Sequence, residues 1–359
     1  MHSTSIVVVI SVAIAAVCII VSCYQSTIQT SAFLGGLLLK LLVTDIFPAL
    51  DSPHELAKVR TLMNGQAEPT PAINVTILNI RIASSVEHAI PIRIYIPNNS
   101  HTIREDISVL STLSLKPVLI WFHGGGFVTG NYSNENRQCG KIVEYTGFIV
   151  VNVDYRLAPE NKFPDGVNDA VDTLMWTKNN IKDYGGDSEQ IYLSGESSGG
   201  TIATATTAVN YDPIRTDSSK KVNIKGLFIL YPCLEHGVYR DSHFRYSNAF
   251  ALLTLKQMSY FWSLYLNDQW KDSLDYRACP LRTPRNILRQ FPPTLIVLAK
   301  NDILLDEGLA FEKLLKDVQV SVETTVYNNV YHGFFARPFL SNDAQTKEVC
   351  ESILLLNKS

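Results

Sequence analysis

Short apolar runs that alternate with helical segments constrain the fold of this 359-residue chain more than any other feature. The runs are rich in β-branched residues, and stretches with helical periodicity follow most of them. Repeated strand–helix units of this kind form a largely parallel sheet covered by helices. We predict strands at Asn74–Ile82, Ile90–Ile96, Val118–Phe122, Ile149–Val153, Ile191–Ser194, Leu227–Tyr231, Thr294–Ala299 and Val322–Tyr327.

The first two predicted strands differ from the others. They alternate apolar and polar residues and connect through Ser84 and Ser85, which predicts an antiparallel hairpin at the sheet edge, whereas the later runs are continuously apolar.

Between residues 235 and 290 the alternation of strands and helices stops. Apolar and aromatic residues there recur at helical spacing, and most are expected to pack a helical cap onto the sheet: Leu253, Leu255, Met258, Phe261, Trp262 and Tyr265.

The N-terminal region has a different composition. From Ile6 to Val21 every residue is apolar except Ser11, and no Lys, Arg, Asp or Glu precedes Lys40. A bilayer span needs about 17 to 25 residues, whereas a secretory signal has a shorter apolar core behind a positive start. We expect residues 1–23 to be an uncleaved membrane anchor, with a cleaved signal or a buried helix as the alternatives.

The remaining chain divides into a cap segment at residues 24–73 and a globular domain at 74–359. A second apolar stretch, Phe33 to Phe47, is interrupted by glycines and a lysine, and is short for a span. We interpret it as a helix packed on the globular domain, with contact to a membrane surface as the alternative.

The charge balance narrows the classes of partner. A formal net charge of −3 provides no basic field for nucleic acid, so we exclude a nucleic-acid partner.

No two of the 6 cysteines form a CxxC pair, which argues against a zinc knuckle, and we expect no metal. Four cysteines can form up to two disulfides in an oxidising compartment or remain buried thiols: Cys139, Cys233, Cys279 and Cys350.

The sequence from Gly195 to Gly199, Gly-Glu-Ser-Ser-Gly, directly follows an apolar strand and precedes a helical stretch. This context is typical of a nucleophile elbow, in which glycines allow a tight turn that exposes the serine hydroxyl. Ser197 is therefore the candidate nucleophile, with Gly195, Glu196 and Gly199 forming the rest of the motif.

A second glycine motif, His123-Gly124-Gly125-Gly126, ends the strand before it. Glycines at this position leave backbone N–H groups free to bind an oxyanion. We predict that the N–H groups of Gly124, Gly125 and Ser198 form an oxyanion hole, with His123 and Gly126 as supporting residues.

A serine nucleophile needs a base and an acid, which follow it in the order acid, then histidine, in enzymes with such an elbow. His332 is the candidate base, because His236 and His243 lie in the predicted cap. Asp302 comes just after a predicted strand and is the candidate acid. Asp306 is the competitor, for which helix capping is the favoured role.

Together these motifs resemble the hormone-sensitive-lipase-like branch of the α/β-hydrolases, and within it the arylacetamide deacetylase and neutral cholesterol ester hydrolase group. The resemblance covers about residue 75 to the C-terminus. It also rests on Trp121–Phe127, on Asp154–Glu160 with Phe163-Pro164, on Asp302–Gly308 and on His332-Gly333-Phe334. Where the family usually has Gly-Asp-Ser-Ala-Gly-Gly, this chain has Glu196 and Ser198.

The resemblance implies an α/β-hydrolase fold with a cap, no cofactor, and a serine carboxylesterase or lipase that acts on small-molecule esters. Amide hydrolysis is the alternative. A receptor on the same fold is a further alternative, but such a receptor resembles the family and lacks the catalytic histidine, whereas His332 is present. Within the motif at Asp154–Glu160, we interpret Arg156 and the two acids as a buried charge network.

The resemblance also implies a single-pass protein of the endoplasmic-reticulum membrane with a lumenal catalytic domain, and secretion is the alternative. Sequons at Asn74, Asn98 and Asn131 permit glycosylation in that compartment. The predicted hydrophobic cap favours uncharged esters with a hydrophobic acyl group.

Overall fold

The computed structural model describes residues 56–57, 60–61, 75–86, 88–98, 115–247, 253–336, 340 and 342–356. The predicted anchor and the apolar stretch Phe33 to Phe47 lie outside these residues. Among the described residues, no helix is both long enough and apolar enough to cross a membrane.

Eight strands form one sheet in the order β1-β2-β4-β3-β5-β6-β7-β8. Strand β2 is antiparallel to both of its neighbours, and the strands from β4 to β8 are parallel. Both the edge hairpin and the parallel centre confirm the sequence prediction. The bounds are β1 Val75–Ala83, β2 Ala89–Pro97, β3 Lys116–Phe122, β4 Ile149–Val153, β5 Gly186–Glu196, β6 Ile224–Leu230, β7 Thr294–Asn301 and β8 Val322–Tyr331.

Helices follow most strands, as the alternating sequence pattern predicts. The α-helices are α1 Asn136–Thr146, α2 Asp165–Asn180, α3 Ser198–Tyr211, α4 Asp241–Arg245, α5 Leu255–Tyr265, α6 Gln269–Asp272, α7 Arg285–Leu288, α8 Leu305–Asp317 and α9 Asp343–Leu356. Short 3-10 helices lie at Tyr132–Glu135, Ile181–Tyr184, Ser218–Lys220 and Pro280–Arg282. Residues 56–57 and 60–61 are also helical.

The sheet has an apolar core on each face. Helices α2, α3 and α8 and the helices between β6 and β7 pack on one face, and α1 and α9 pack on the other. The central strands are buried on both faces, which explains their continuously apolar sequences. All the parallel strands end at the same edge of the sheet. Because the helices cover the two faces, polar side chains that could take part in a reaction are expected in the loops at that edge.

Arg156 has different partners from those expected. Its guanidinium pairs with Asp169 at 2.8 Å and with Asp165 at 3.2 Å, both on α2. Glu160 pairs instead with Arg60 at 2.7 Å. The interpretation of Arg156 with the two acids of its own motif was therefore wrong, because the planar guanidinium binds both oxygens of the buried Asp169 carboxylate.

The four cysteines of the described domain are free thiols, and all are buried. Burial raises the pKa of the Cys279 thiol to about 12. Burial likewise raises the pKa of the Cys233 and Cys350 thiols, which keeps them protonated and unreactive, and Cys139 is also buried. Of the two alternatives left open by the sequence, the structure has buried thiols.

Candidate active site

The three candidate triad residues and the first residue of the glycine loop each come directly after a strand. His123 follows β3, Ser197 follows β5, Asp302 follows β7 and His332 follows β8. The carboxyl ends of parallel strands meet at one edge of a sheet, where α/β proteins bind their ligands. The topology therefore brings residues that are 135 positions apart in the chain into contact.

Ser197 lies on a strained turn between β5 and α3. Its backbone has φ 52° and ψ −122°, a conformation that residues with a side chain rarely adopt. The flanking glycines make the turn possible, because a Cβ at Gly195 would lie 2.4 Å from the Gly199 carbonyl oxygen. The Ser197 amide donates to the Leu230 carbonyl at 2.9 Å, which ties the turn to β6.

An unbroken hydrogen-bond chain connects Ser197, His332 and Asp302. His332 Nε2 lies 2.9 Å from Ser197 Oγ, and His332 Nδ1 lies 2.8 Å from Asp302 Oδ2. Because a carboxylate can only accept, the Nδ1 atom carries the proton and Nε2 is free to accept from the serine hydroxyl. The Asp302 side chain is 1% exposed, and its second oxygen accepts from the Leu304 amide at 3.0 Å.

Asp306 lies elsewhere and binds another helix. Its carboxylate accepts from the Ser242 amide at 2.8 Å, in the first turn of α4. Helix capping was the role favoured for Asp306. The structure shows that Asp306 caps α4, whereas its own helix is α8. Asp306 is the second residue of α8, so its side chain reaches across to α4.

The loop after β3 is built around close backbone contacts. Gly125 has φ 115° and Gly126 has φ 62°, in the region that favours glycine. Behind the loop the His123 ring is fully buried, and Nδ1 lies 2.7 Å from the Gly124 carbonyl oxygen. Burial lowers the pKa of His123 to about 4, so the ring is neutral and its Nδ1–H donates to that carbonyl.

Glu196 and Tyr231 form a buried pair beside the elbow, which the sequence reasoning missed. The Tyr231 hydroxyl donates to Glu196 Oε2 at 2.5 Å, and burial raises the pKa of Tyr231. The Tyr231 ring also meets the His332 ring edge-on at 5.0 Å, and a Cβ at Gly124 would lie 3.0 Å from the Glu196 carboxylate. Tyr231 is the last residue of the predicted strand Leu227–Tyr231, which indicates a place at the sheet edge but not its partner.

Helix α5 packs directly on the glycine loop. A Cβ at Gly126 would lie 2.5 Å from the Phe261 ring, so the cap and the loop are in van der Waals contact. Phe127 stacks on Tyr265 with 3.9 Å between ring centroids and also contacts Trp262. These contacts agree with the predicted packing of the cap.

The geometry therefore places a serine hydroxyl, an imidazole in position to act as its base and an orienting carboxylate at one edge of an α/β sheet. Among the described residues, no group of His, Cys, Asp and Glu side chains is arranged to hold a metal ion.

Comparison with known proteins places this arrangement in a family. The sequence model for the alpha/beta hydrolase fold matches residues 119–336. Arylacetamide deacetylase of Mus musculus is 26% identical over 85% of this chain and 86% of its own length. A gibberellin receptor of Arabidopsis thaliana is 31% identical over 68% of this chain and 69% of its own length. An esterase structure from Pyrobaculum calidifontis is 28% identical, with a TM-score of 0.70 over 83% of this chain and 93% of that one.

The chain belongs to the α/β-hydrolase family. Within the family it lies in the hormone-sensitive-lipase-like branch, with arylacetamide deacetylases among its relatives, as the sequence motifs predicted.

Proposed function

We propose that this carboxylesterase of the α/β-hydrolase fold cleaves uncharged, hydrophobic esters through Ser197, His332 and Asp302, with an acyl-enzyme intermediate. The observation that carries the proposal is the hydrogen-bond chain from the Asp302 carboxylate through the imidazole to the serine hydroxyl. The geometry is that of a nucleophile, its base and the group that orients the base.

In the acylation step, His332 takes the Ser197 proton as the serine oxygen attacks the ester carbonyl. The imidazolium then passes that proton to the departing alcohol, and Asp302 stabilises its charge. Water attacks the acyl-enzyme with His332 again as base, which releases the carboxylic acid and restores the serine hydroxyl.

Each tetrahedral intermediate carries an oxyanion, for which we propose the N–H groups of Gly124, Gly125 and Ser198. Ser198 is the first residue of α3, so its N–H has no partner within the helix and lies at the positive end of the helix dipole. Loss of one such donor typically lowers kcat by about 10²- to 10³-fold.

The proposed substrate class follows from the cap. Phe127, Trp262 and Tyr265 form an aromatic cluster against the glycine loop, and all three are buried. An apolar pocket discriminates acyl chains by only about 1 to 3 kcal/mol per methylene. We therefore expect broad activity on p-nitrophenyl acetate, butyrate and longer esters, and much slower turnover of an ester of matched length whose acyl group ends in a carboxylate.

Labelling with a fluorophosphonate tests the catalytic proposal. Mass spectrometry should find the adduct on Ser197, and Ser197→Ala should lower kcat by about 10⁶-fold. Ser198→Ala is the matched control, since it removes the neighbouring hydroxyl and keeps the backbone N–H. An adduct on Ser198, or an active Ser197→Ala variant, would contradict the proposal.

Turnover measurements distinguish ester hydrolysis from the two alternatives, a ligand receptor and an amide hydrolase. A receptor binds its ligand without releasing product, so the His332 contact to Ser197 favours an enzyme, and one burst of p-nitrophenol per chain followed by steady release would exclude the receptor. Amide hydrolysis uses the same groups, and rates on an anilide and a phenyl ester of one acyl group measure the preference.

We also propose that Ile6 to Val21 tethers the domain to the endoplasmic-reticulum membrane, with the catalytic domain in the lumen. The apolar sequence, in which Ser11 is the one polar residue, supports a tether, and the sequons support lumenal exposure. Retention in the pellet after alkaline carbonate and a mass decrease after glycosidase treatment are expected. Glycosylated protein found wholly in the medium would instead indicate a cleaved signal.

A further inference from the structure

Two carbonyl groups of the glycine loop accept hydrogen bonds from a stacked pair of rings. The Tyr155 hydroxyl donates to the His123 carbonyl at 2.8 Å, and the His123 Nδ1–H donates to the Gly124 carbonyl at 2.7 Å. The rings of Tyr155 and His123 stack with 4.4 Å between centroids and 15° between planes. Both side chains are buried, so water does not compete for these bonds.

These bonds determine where two N–H groups point. A trans peptide is planar, and its C=O and N–H bonds point in opposite directions. The bond to the His123 carbonyl therefore fixes the direction of the Gly124 N–H, and the bond to the Gly124 carbonyl fixes that of the Gly125 N–H. A bond accepted at a carbonyl also polarises the N–H of the same peptide, strengthening its next bond by about 10 to 30%.

Tyr155 fixes the first of these peptides from outside the loop. It lies just beyond the end of β4, and Gly166 leaves room for its ring, since a Cβ there would lie 3.1 Å from Tyr155 Cδ2. The phenol must be the donor, because a carbonyl oxygen can only accept. Burial raises the pKa of Tyr155, so the phenol remains protonated over the working pH range of an esterase.

We infer that Tyr155 is a positioning residue for the oxyanion hole, acting through the His123 carbonyl to aim the Gly124 N–H at the developing negative charge. The inference rests on the proposed function, because the oxyanion exists only if Ser197 attacks an ester carbonyl. It assigns to the Asp154–Glu160 motif a role in the reaction beyond the ion pairs made by Arg156 and Glu160.

The Tyr155→Phe variant tests the inference, since it removes one hydroxyl and keeps the stacked ring. We expect kcat to fall about tenfold with KM changed less than twofold, because the substrate carbonyl gains its full charge only in the transition state. An alkyl trifluoromethyl ketone, which adds Ser197 Oγ and places an oxyanion in the hole, should lose affinity by the same factor of about ten.

Tyr95→Phe is the matched control. Its buried hydroxyl donates to Asn136 Oδ1 at 2.7 Å, and β2 is separated from β5 by two strands, so the variant loses a comparable bond away from Ser197. Wild-type kcat and ketone affinity are expected for Tyr95→Phe. If Tyr155→Phe also keeps the wild-type ketone affinity, or loses activity through KM alone, the inference is overturned.

Two further measurements cover a Tyr155→Phe variant that does not fold and a failure of the proposed function itself. If Tyr155→Phe does not fold, 3-fluorotyrosine at position 155 replaces it: the more acidic phenol is a stronger donor, so ketone affinity should rise, and an unchanged or lower affinity overturns the inference. If Ser197→Ala binds the ketone as tightly as the wild type, the proposed function itself fails and the inference fails with it, a result distinct from a failure at Tyr155 alone.

Discussion

Gly199 lies so close to the carbonyl of Phe122 that a Cβ added at Gly199 would be 2.0 Å from the carbonyl oxygen. Both groups belong to the backbone, so neither can move aside without displacing β3 or α3. We predict that Gly199→Ala destabilises the protein by about 3 kcal/mol, the upper range for overpacking, and abolishes esterase activity. Urea unfolding and titration of reactive serine measure the two effects.

Gly147→Ala is the control for backbone strain without crowding. Gly147 has φ 70°, yet apart from Gly147 itself and its two chain neighbours, no heavy atom of the described residues lies within 4 Å of the position its Cβ would take. The variant should lose about 1 to 2 kcal/mol and keep full activity. Equal activity in Gly199→Ala and Gly147→Ala would show that close packing of the elbow on β3 is not required.

Asp302 and Asp306 are expected to differ sharply when each is changed to Asn. Asp302→Asn leaves His332 Nδ1 facing a group that can donate, which favours the wrong tautomer, and kcat should fall by roughly 10⁴-fold. Asp306→Asn keeps an oxygen for the Ser242 amide and should stay within a few-fold of the wild type. Steady-state rates at matched folded content make the comparison, and a larger loss for Asp306→Asn would reject Asp302 as the acid.

The sequence predicts the architecture well because its main signal is hydrophobic periodicity. Strand β5 was predicted from Ile191, yet it begins at Gly186, since Asp187, Glu189 and Gln190 break the apolar run. The loop residues near the elbow were predictable for a related reason: each follows a strand, and parallel strands end at one edge.

Contacts between distant segments could not be predicted in this way. Nothing in the local sequence of Tyr231 indicates that its hydroxyl reaches Glu196, and Phe261 was identified only as a cap residue. Arg156 shows the same limit, since its partner Asp169 lies one helix further along the chain. Side-chain partners depend on how elements cross, and single-sequence periodicity carries no such information.

The neutral His123 ring makes stability depend on pH. Its pKa is about 4 in the folded protein because burial disfavours the charged form, against 6.5 when exposed. Between these pH values the unfolded chain binds more protons than the folded protein. The contribution of the neutral His123 ring to the free energy of unfolding is therefore fully present above pH 6.5 and falls as the pH drops to 4. The full effect is about 3 kcal/mol.

Comparison with His123→Asn isolates this effect from other titrating groups. The difference in unfolding free energy between wild type and variant, measured in urea, should shrink by up to about 3 kcal/mol from pH 7 to pH 4. Asn lacks a titrating group and can still donate to the Gly124 carbonyl. A difference that stays constant with pH would mean that folding does not lower the pKa of His123.

Glu307 is predicted to anchor the segment after β6 to the helix that follows Asp302. Its carboxylate is fully buried and accepts from the Leu234 and Glu235 amides and from His243 Nε2. The Arg240 amide donates to His243 Nδ1 at 2.8 Å, so that atom carries no proton and the Nε2–H must point at Glu307. Three donors thus converge on one carboxylate in a site where burial raises its pKa.

In Glu307→Gln, one acceptor oxygen becomes an NH₂ group that faces these donors. A buried donor left unsatisfied costs about 1 to 3 kcal/mol, so we expect a loss of about 3 kcal/mol in urea unfolding. The control is Glu312→Gln on the same helix, which removes only the i,i+4 pair with Lys316 and should cost less than about 0.5 kcal/mol. Similar losses in the two variants would show that the Glu307 carboxylate is not the anchor. If the anchor also supports Asp302, kcat of Glu307→Gln at 25 °C should fall several-fold before any unfolding, while Glu312→Gln keeps the wild-type rate.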